Sequence, residues 1–138
     1  MIRIATALPT SHDRIDQWGY VLPAFDLDAC IVWGTSGAMA RPFHKSTNVM
    51  LLNELVGPLV LVHPLSGTLV QGETDLVGFA HPADCTYIFG PDDRTLTPED
   101  LAGVALVGSV YVPTRADTNL FSATACAIVL YDRIAKNG

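Results

Sequence analysis

YIFGPDDRTL, residues 87–96, is the stretch whose reading decides the fold. With Thr86 its first residues make an apolar run of strand length, TYIFG (86–90). The run stops at Gly90-Pro91, where glycine permits a tight turn and proline cannot extend a strand. A short, continuously apolar strand is the mark of a parallel sheet covered on both faces. Gly90 and Pro91 suit an ordinary turn, and Asp92 and Asp93 could cap it.

Working outward, the same pattern recurs. LVLVHP (59–64) is a second buried run, VALVGSVYVP (104–113) a third, and IRIATAL (2–8) and ACIVWG (29–34) open the chain in the same manner. Between the first two of these in chain order, DRIDQWGYVLPAF (13–25) predicts a short helix, weakened by Gly19 and Pro23. STNVMLLNEL (46–55), apolar at 49, 51, 52 and 55, predicts a helix capped by Ser46 or Thr47 and ended at Gly57-Pro58. The segment 65–84 reads as a loop-rich crossover with a weak helix or turn. Thr97-Pro98-Glu99-Asp100 supplies a cap, a proline at the first helical position and acids for the positive end of a short helix. The last element, 120–136, lacks Gly and Pro, and its apolar or small residues at 120, 123, 127, 128, 130, 131 and 134 form a helix face. Strands alternating with helical stretches predict an α/β fold with a mostly parallel sheet flanked by helices.

The 138 residues fit a single domain, 1–138. No apolar stretch approaches the roughly 20 residues of a membrane span, and MIRIATALPTSHD turns polar before a signal-peptide core develops, so a cytoplasmic location is expected. Cys30, Cys85 and Cys126 are odd in number and widely spaced among apolar or small residues, which suits reduced thiols in or near a core. His12, His44, His63 and His81 have no partner at metal-ligand spacing, so no metal is expected. A net charge of −6 with eight Lys and Arg counts against extensive binding of duplex nucleic acid. A local basic rim remains open to Arg41, His44 and Lys45, and to Arg94 and Arg115.

Three features occur in a telling order: LVLVHPLSG, then YIFGPDDRTLTPEDL, then YVPT with NLFSATACAIVLYDR. The second is similar to an FGPE-x-x-GL loop and its short helix, the third to a strand, proline, polar turn and terminal helix ending in a Tyr-acid pair. Together they resemble the cofactor end of the SpoU/TrmH-type RNA methyltransferases of the SPOUT superfamily. The resemblance covers residues 59–136 well and 1–58 poorly. It implies a carboxyl-terminal trefoil knot, S-adenosylmethionine (SAM) as cofactor, a homodimer with a shared site, and methyl transfer to RNA, tRNA or rRNA, at a ribose 2′-oxygen. It places the cofactor against His63, Leu65, Gly67, Phe89, Gly90, Pro91, Asp92, Val112, Pro113 and Leu120. Its polar position falls on Asn119 or Ser122, and in place of the family's Arg the candidates for the chemistry are Arg14, Arg41 or Arg115.

The chain departs from that family at several positions. The family's amino-terminal N-x-G-x-x-x-R stretch falls on RIDQWGYVLPAFDLDACIVWG, which puts Tyr20 at the Arg position and offers no Asn. Asp92 stands for the loop's Glu, and Thr95 for a Gly. Asn119-Leu120-Phe121-Ser122 has one residue more between Asn and Ser than the family turn, and Asn119 and Ser122 also suit the N-cap region of the last helix. Two other readings stay open: a catalytically silent module of the same fold that binds SAM, RNA or a protein partner, and an unrelated small α/β ligand-binding protein.

Overall fold

Seven strands lie side by side, all parallel, in the computed structural model, which describes residues 2–6, 12–25, 27, 29–32, 40–47, 49–52, 54–63, 73–90, 99–114 and 120–137. The strands are β1 (Ile2–Thr6), β2 (Ala29–Val32), β3 (Met50–Leu52), β4 (Leu59–His63), β5 (Thr74–Asp75), β6 (Cys85–Phe89) and β7 (Leu106–Tyr111). The helices are α1 (His12–Ala24), α2 (Ala40–Thr47) and α3 (Ser122–Asn137). Across the sheet the order is β3-β2-β1-β6-β4-β7-β5. β4 and β6 are buried along their whole length, which is why their sequences read as unbroken apolar runs rather than alternating ones.

One face of the sheet, carrying Ile4, Val60, Val62, Tyr87, Phe89 and Val110, packs against helical residues including Trp18, Phe43 and Cys126 in the larger core. The opposite face holds a smaller cluster of Ala5, Leu59, Leu61 and Ile88, covered by Leu55, Leu101, Val104 and Leu106. α1 runs through both Gly19 and Pro23, because Ile15, Trp18 and Leu22 recur on one side and are all buried. Burial of that stripe outweighs the poor propensity of the two residues.

Two expectations need correction. The segment 46–55 is not a helix: α2 ends at Thr47, whose hydroxyl bonds the Phe43 carbonyl, and Met50–Leu52 is an edge strand paired with β2. The apolar positions 49, 51 and 52 fit either element over so short a run, and pairing with β2 decides for the strand. The helix expected after Thr97-Pro98 is, within residues 99–103, a series of turns closed by Ala102 N–H to Glu99 O (3.2 Å) and Val104 N–H to Leu101 O (3.0 Å), with Gly103 at φ +77°. The crossover 65–84 contains, in its described part, the short strand β5 and a 3-10 turn, Leu76–Gly78.

At the amino-terminal edge of the sheet a buried Arg3 on β1 donates to Thr86 Oγ1 (2.8 Å) and to Asp84 Oδ1 (2.9 Å), and Thr86 donates on to the Val56 carbonyl (2.6 Å). Asp84 is held below the usual carboxylate range chiefly by its bond to Arg3. All three cysteines are buried free thiols; burial pushes Cys30 up to about 12 and raises Cys126 and Cys85 as well. Among the described residues no helix is long and apolar enough to cross a membrane, and no group of three His, Cys, Asp or Glu is placed to hold a metal ion.

Candidate functional site

In an open parallel sheet, ligands settle beyond the carboxyl ends of the strands, where loops diverge and backbone groups lack ladder partners. Here three neighbouring strands end together: Val62 lies beside Phe89 across β4 and β6, and His63 beside Tyr111 across β4 and β7. Gly90 follows β6 and Val112 follows β7 at that edge. α3 then returns with its first turn against the same edge. Ser122 Oγ donates to the Gly90 carbonyl at 2.6 Å, joining residues 32 positions apart. Within α3, the Ala125 amide bonds the Phe121 carbonyl (3.0 Å) and closes the first turn. Leu120 packs on the larger core just ahead of that turn.

The edge has an apolar floor. Phe89 is buried with its ring 6.1 Å from that of Trp18, and Val112 is buried as well. On the β4 side His63 is buried, its Nδ1 3.9 Å from Glu73 Oε1, and the Glu73 side chain is only 6% exposed. Glu73 had no signal in the sequence beyond being a lone acid between Gly72 and Thr74. It is brought to His63 by the pairing of β5 with β7, two elements whose contact no local pattern reveals.

No protein-family model matches the chain, and no curated protein is similar to it in sequence. Solved structures are similar in shape. The SpoU methyltransferase AviRb from Streptomyces viridochromogenes, in complex with AdoMet, superposes with a TM-score of 0.71 at 16% identity over 99% of this chain and 60% of that one. The fold is that of the SpoU methyltransferases. TrmJ from Z. mobilis ZM4 gives a TM-score of 0.70 at 15% identity, over 96% of this chain and 67% of that one. A structure concerned with the 2-OH methylation of C/U34 on tRNA gives 0.65 at 16% identity, covering 100% of this chain and 98% of that one. The chain therefore spans about three fifths of AviRb but nearly the whole of the last protein.

Within this SpoU fold, His63, Phe89, Gly90, Val112, Pro113, Leu120 and Ser122 gather at the carboxyl edge of β4, β6 and β7. Leu65, Gly67, Pro91, Asp92, Arg115 and Asn119 lie outside the described residues. Arg14 and Arg41 sit in the first turns of α1 and α2, the ends that follow β1 and β2, and their side chains likewise lie outside what is described. Tyr20, which the sequence resemblance sets against the family's Arg, is on α1 and 81% exposed.

Proposed function

We propose that the chain is a SAM-dependent RNA methyltransferase that modifies a ribose 2′-hydroxyl of tRNA or rRNA. It works as a homodimer whose carboxyl-terminal segment is threaded into a trefoil knot. The observation that carries this reading is the bond from Ser122 to the Gly90 carbonyl. It clamps the first turn of the terminal helix to the loop after β6, at the edge where three strands deliver their loops. The strand order, with β6 between β1 and β4, is compatible with such threading. AviRb in complex with AdoMet supports the choice of cofactor.

The residues present fit such a cofactor. Pro113 and Leu120, with the buried Val112 and Phe89 beneath them, offer apolar surface of the kind a purine needs, while Gly90 and Val112 lie just past the ladder, where backbone groups can hydrogen-bond its edge. The resemblance adds Leu65, Gly67, Pro91 and Asp92 to the proposed cofactor contacts; all four lie outside the described residues. Bound SAM supplies an electrophilic methyl group. The chain's own task is to place a hydroxyl in line and to favour loss of its proton. Arg14 and Arg115 are the cations proposed to stabilise charge developing on that oxygen, and Asn119 orients it. Ser122, with its proton engaged by Gly90, holds the loop that shapes the site.

Calorimetric titration with SAM is expected to give saturable heat, and labelled SAM is expected to transfer label to RNA. Ser122→Ala should weaken SAM binding by about 2–13-fold, the worth of one hydrogen bond of about 0.5–1.5 kcal/mol. Gly90→Trp should abolish it by filling the edge. Absence of SAM heat from the unaltered protein overturns the reading. The competing reading is a catalytically silent module, favoured by the exposed Tyr20 at the family's Arg position. It predicts SAM heat without transfer.

The dimer is supported by α3. Its outward side carries Ile128, Tyr131 and Ile134, all exposed, with Phe121 exposed just before the helix. Apolar groups repeated along one helix side are expected to be covered. A second copy of the chain is the proposed cover. Tyr131→Glu combined with Ile134→Glu should convert dimer to monomer in sedimentation velocity without unfolding it, since neither residue belongs to the core. A sedimentation coefficient unchanged by the pair of substitutions would exclude this helix side as the interface.

A further inference from the structure

The far end of α3 is fastened by a directional chain of hydrogen bonds. Asp132 lies 2.7 Å from His81 Nε2, and the Tyr87 hydroxyl lies 2.7 Å from His81 Nδ1. An ionised carboxylate can only accept, so Nε2 carries the ring proton and Nδ1 accepts from the Tyr87 hydroxyl. The oxygen of Tyr87 in turn accepts from Arg133 Nη1 at 3.1 Å. The chain therefore leaves α3 at Arg133, passes through Tyr87 of β6 and His81, and re-enters α3 at Asp132. Arg133 also donates to the Pro82 and Ala83 carbonyls. Lys136 donates to Asp132 (2.8 Å) and to the Leu76 and Phe79 carbonyls. The His81 side chain is wholly buried, edge-on to Phe79 with ring centroids 5.1 Å apart.

Such a fastening has work to do because of what the rest of α3 buries. Its inward residues Ala123, Ala125 and Cys126 are small, with Val129 and Leu130 following. Small side chains present shallow ridges, and shallow ridges fix a helix poorly along its axis, since exact complementarity is what selects one packing. Directional hydrogen bonds do fix it. Ser122 stands 11 residues before Arg133 on the same rigid rod, about 16 Å away at 1.5 Å per residue. An axial slip at the latch is carried undiminished to Ser122. A slip of about 1 Å takes the 2.6 Å contact with Gly90 beyond hydrogen-bond range.

We propose that His81 is a positioning residue: through Tyr87, Asp132 and Arg133 it sets the axial register of α3, so that Ser122 meets the Gly90 carbonyl, and uptake of a proton by His81 releases that register. The consequence for cofactor affinity rests on the SAM reading above; the register itself does not. A protonated ring has N–H at both nitrogens, and Nδ1–H then confronts the Tyr87 hydroxyl, donor to donor. Tyr87 must turn its proton away, toward the weakly accepting Cys85 thiol beside it. The charged groups facing His81 are Asp132, Lys136 and Arg133, all from α3, so the protonated ring meets one negative and two positive neighbours. Burial pushes His81 below its ordinary value, opposed by Asp132 and assisted by Lys136 and Arg133. The sign follows: a histidine with a lowered folded value binds fewer protons folded than unfolded. Its contribution is thus fully present above its ordinary value of about 6.5 and is lost as the pH falls below that toward the folded value.

The carbonyl carbon shift of Gly90, which accepts from the Ser122 hydroxyl, reads the register by NMR without any ligand. Between about pH 7.5 and about pH 5 it should move to the value given by Ser122→Ala, and SAM affinity should fall about tenfold with it. His81→Gln retains a donor toward Asp132 and takes up no proton, so both pH dependences should vanish. Tyr87→Phe removes the donor conflict and should move the midpoint to higher pH. A purely structural role predicts equal losses at both pH values in each variant. The proposal is overturned if His81→Gln titrates like the unaltered protein, or if the Gly90 shift does not change with pH. If the unaltered protein binds no SAM at either pH, the proposed function falls and the Gly90 shift still decides the register.

Discussion

Trp18→Ala is expected to lower the stability of the protein by about 3–5 kcal/mol, the range for deleting a large aromatic side chain from a packed core. Trp18 is 1% exposed on α1 and sits between two rings, 6.4 Å from Phe43 of α2 and 6.1 Å from Phe89 of β6. No other residue joins both amino-terminal helices to the end of the central strand through ring contacts among the described residues. The void left by its indole cannot be refilled by one neighbour, because Phe43 and Phe89 are each held from a different element. Total stability of a domain of this size is about 5–15 kcal/mol, so the variant should melt far earlier in urea, with an unchanged slope. Phe89 precedes Gly90, so the fraction that remains folded should also bind SAM more weakly. A loss below about 1 kcal/mol would show that the ring cluster is not a fixed part of the core.

Gly57→Ala should be nearly as damaging, for a different reason. Gly57 has φ +77°, and a Cβ there would stand 2.0 Å from Nη2 of Arg3. A flexible side chain tip could ordinarily yield, but Arg3 is 6% exposed and bonded to both Thr86 and Asp84. The substitution combines a left-handed backbone penalty of about 1–2 kcal/mol with displacement of a buried guanidinium, for a total of about 3–4 kcal/mol. The two parts can be separated by a double-mutant cycle with Arg3→Met. In the Arg3→Met background only the backbone penalty should remain. Full additivity of the two substitutions in urea unfolding would disprove the clash.

The parallel strands were legible because burial on both faces writes itself as apolar runs, as in LVLVH and CTYIF. The terminal helix was legible because Ser122–Asn137 holds no Gly or Pro, but its buried side was not: Ile128, Tyr131 and Ile134 of the expected face are exposed, whereas Ala125, Cys126 and Val129, outside that face, are buried. α2 was missed although ARPFHKST carries an early Pro42 and late His44 and Lys45, which suit the first and last turns of a helix. Its single large buried residue among those described, Phe43, gives no period to detect. The strand β3 lay inside a stretch that matched a helix equally well, and its partner is some twenty residues distant in β2. At the edge of the sheet, Gly90 and Ser122 were each singled out, but the bond between them spans 32 positions and has no sequence signature. His81 read as an isolated histidine because its acid, Asp132, lies 51 residues further along.

The place of β6 in the sheet also bears on how the chain is made. β6 fills the gap between β1 and β4, yet it is the sixth strand in chain order. If β1 and β4 take up strand form as residue 63 leaves the ribosome, their facing edges lack the partner that β6 supplies. Their partner arrives only with residue 89, 26 residues later. At about 5–20 residues per second that interval lasts about 1–5 s. Exposed ladders are templates for any extended chain, including the same segment of a neighbouring nascent copy. Codon choice and chaperone access across residues 63–89 should therefore govern yield more strongly than equal changes elsewhere in the coding sequence.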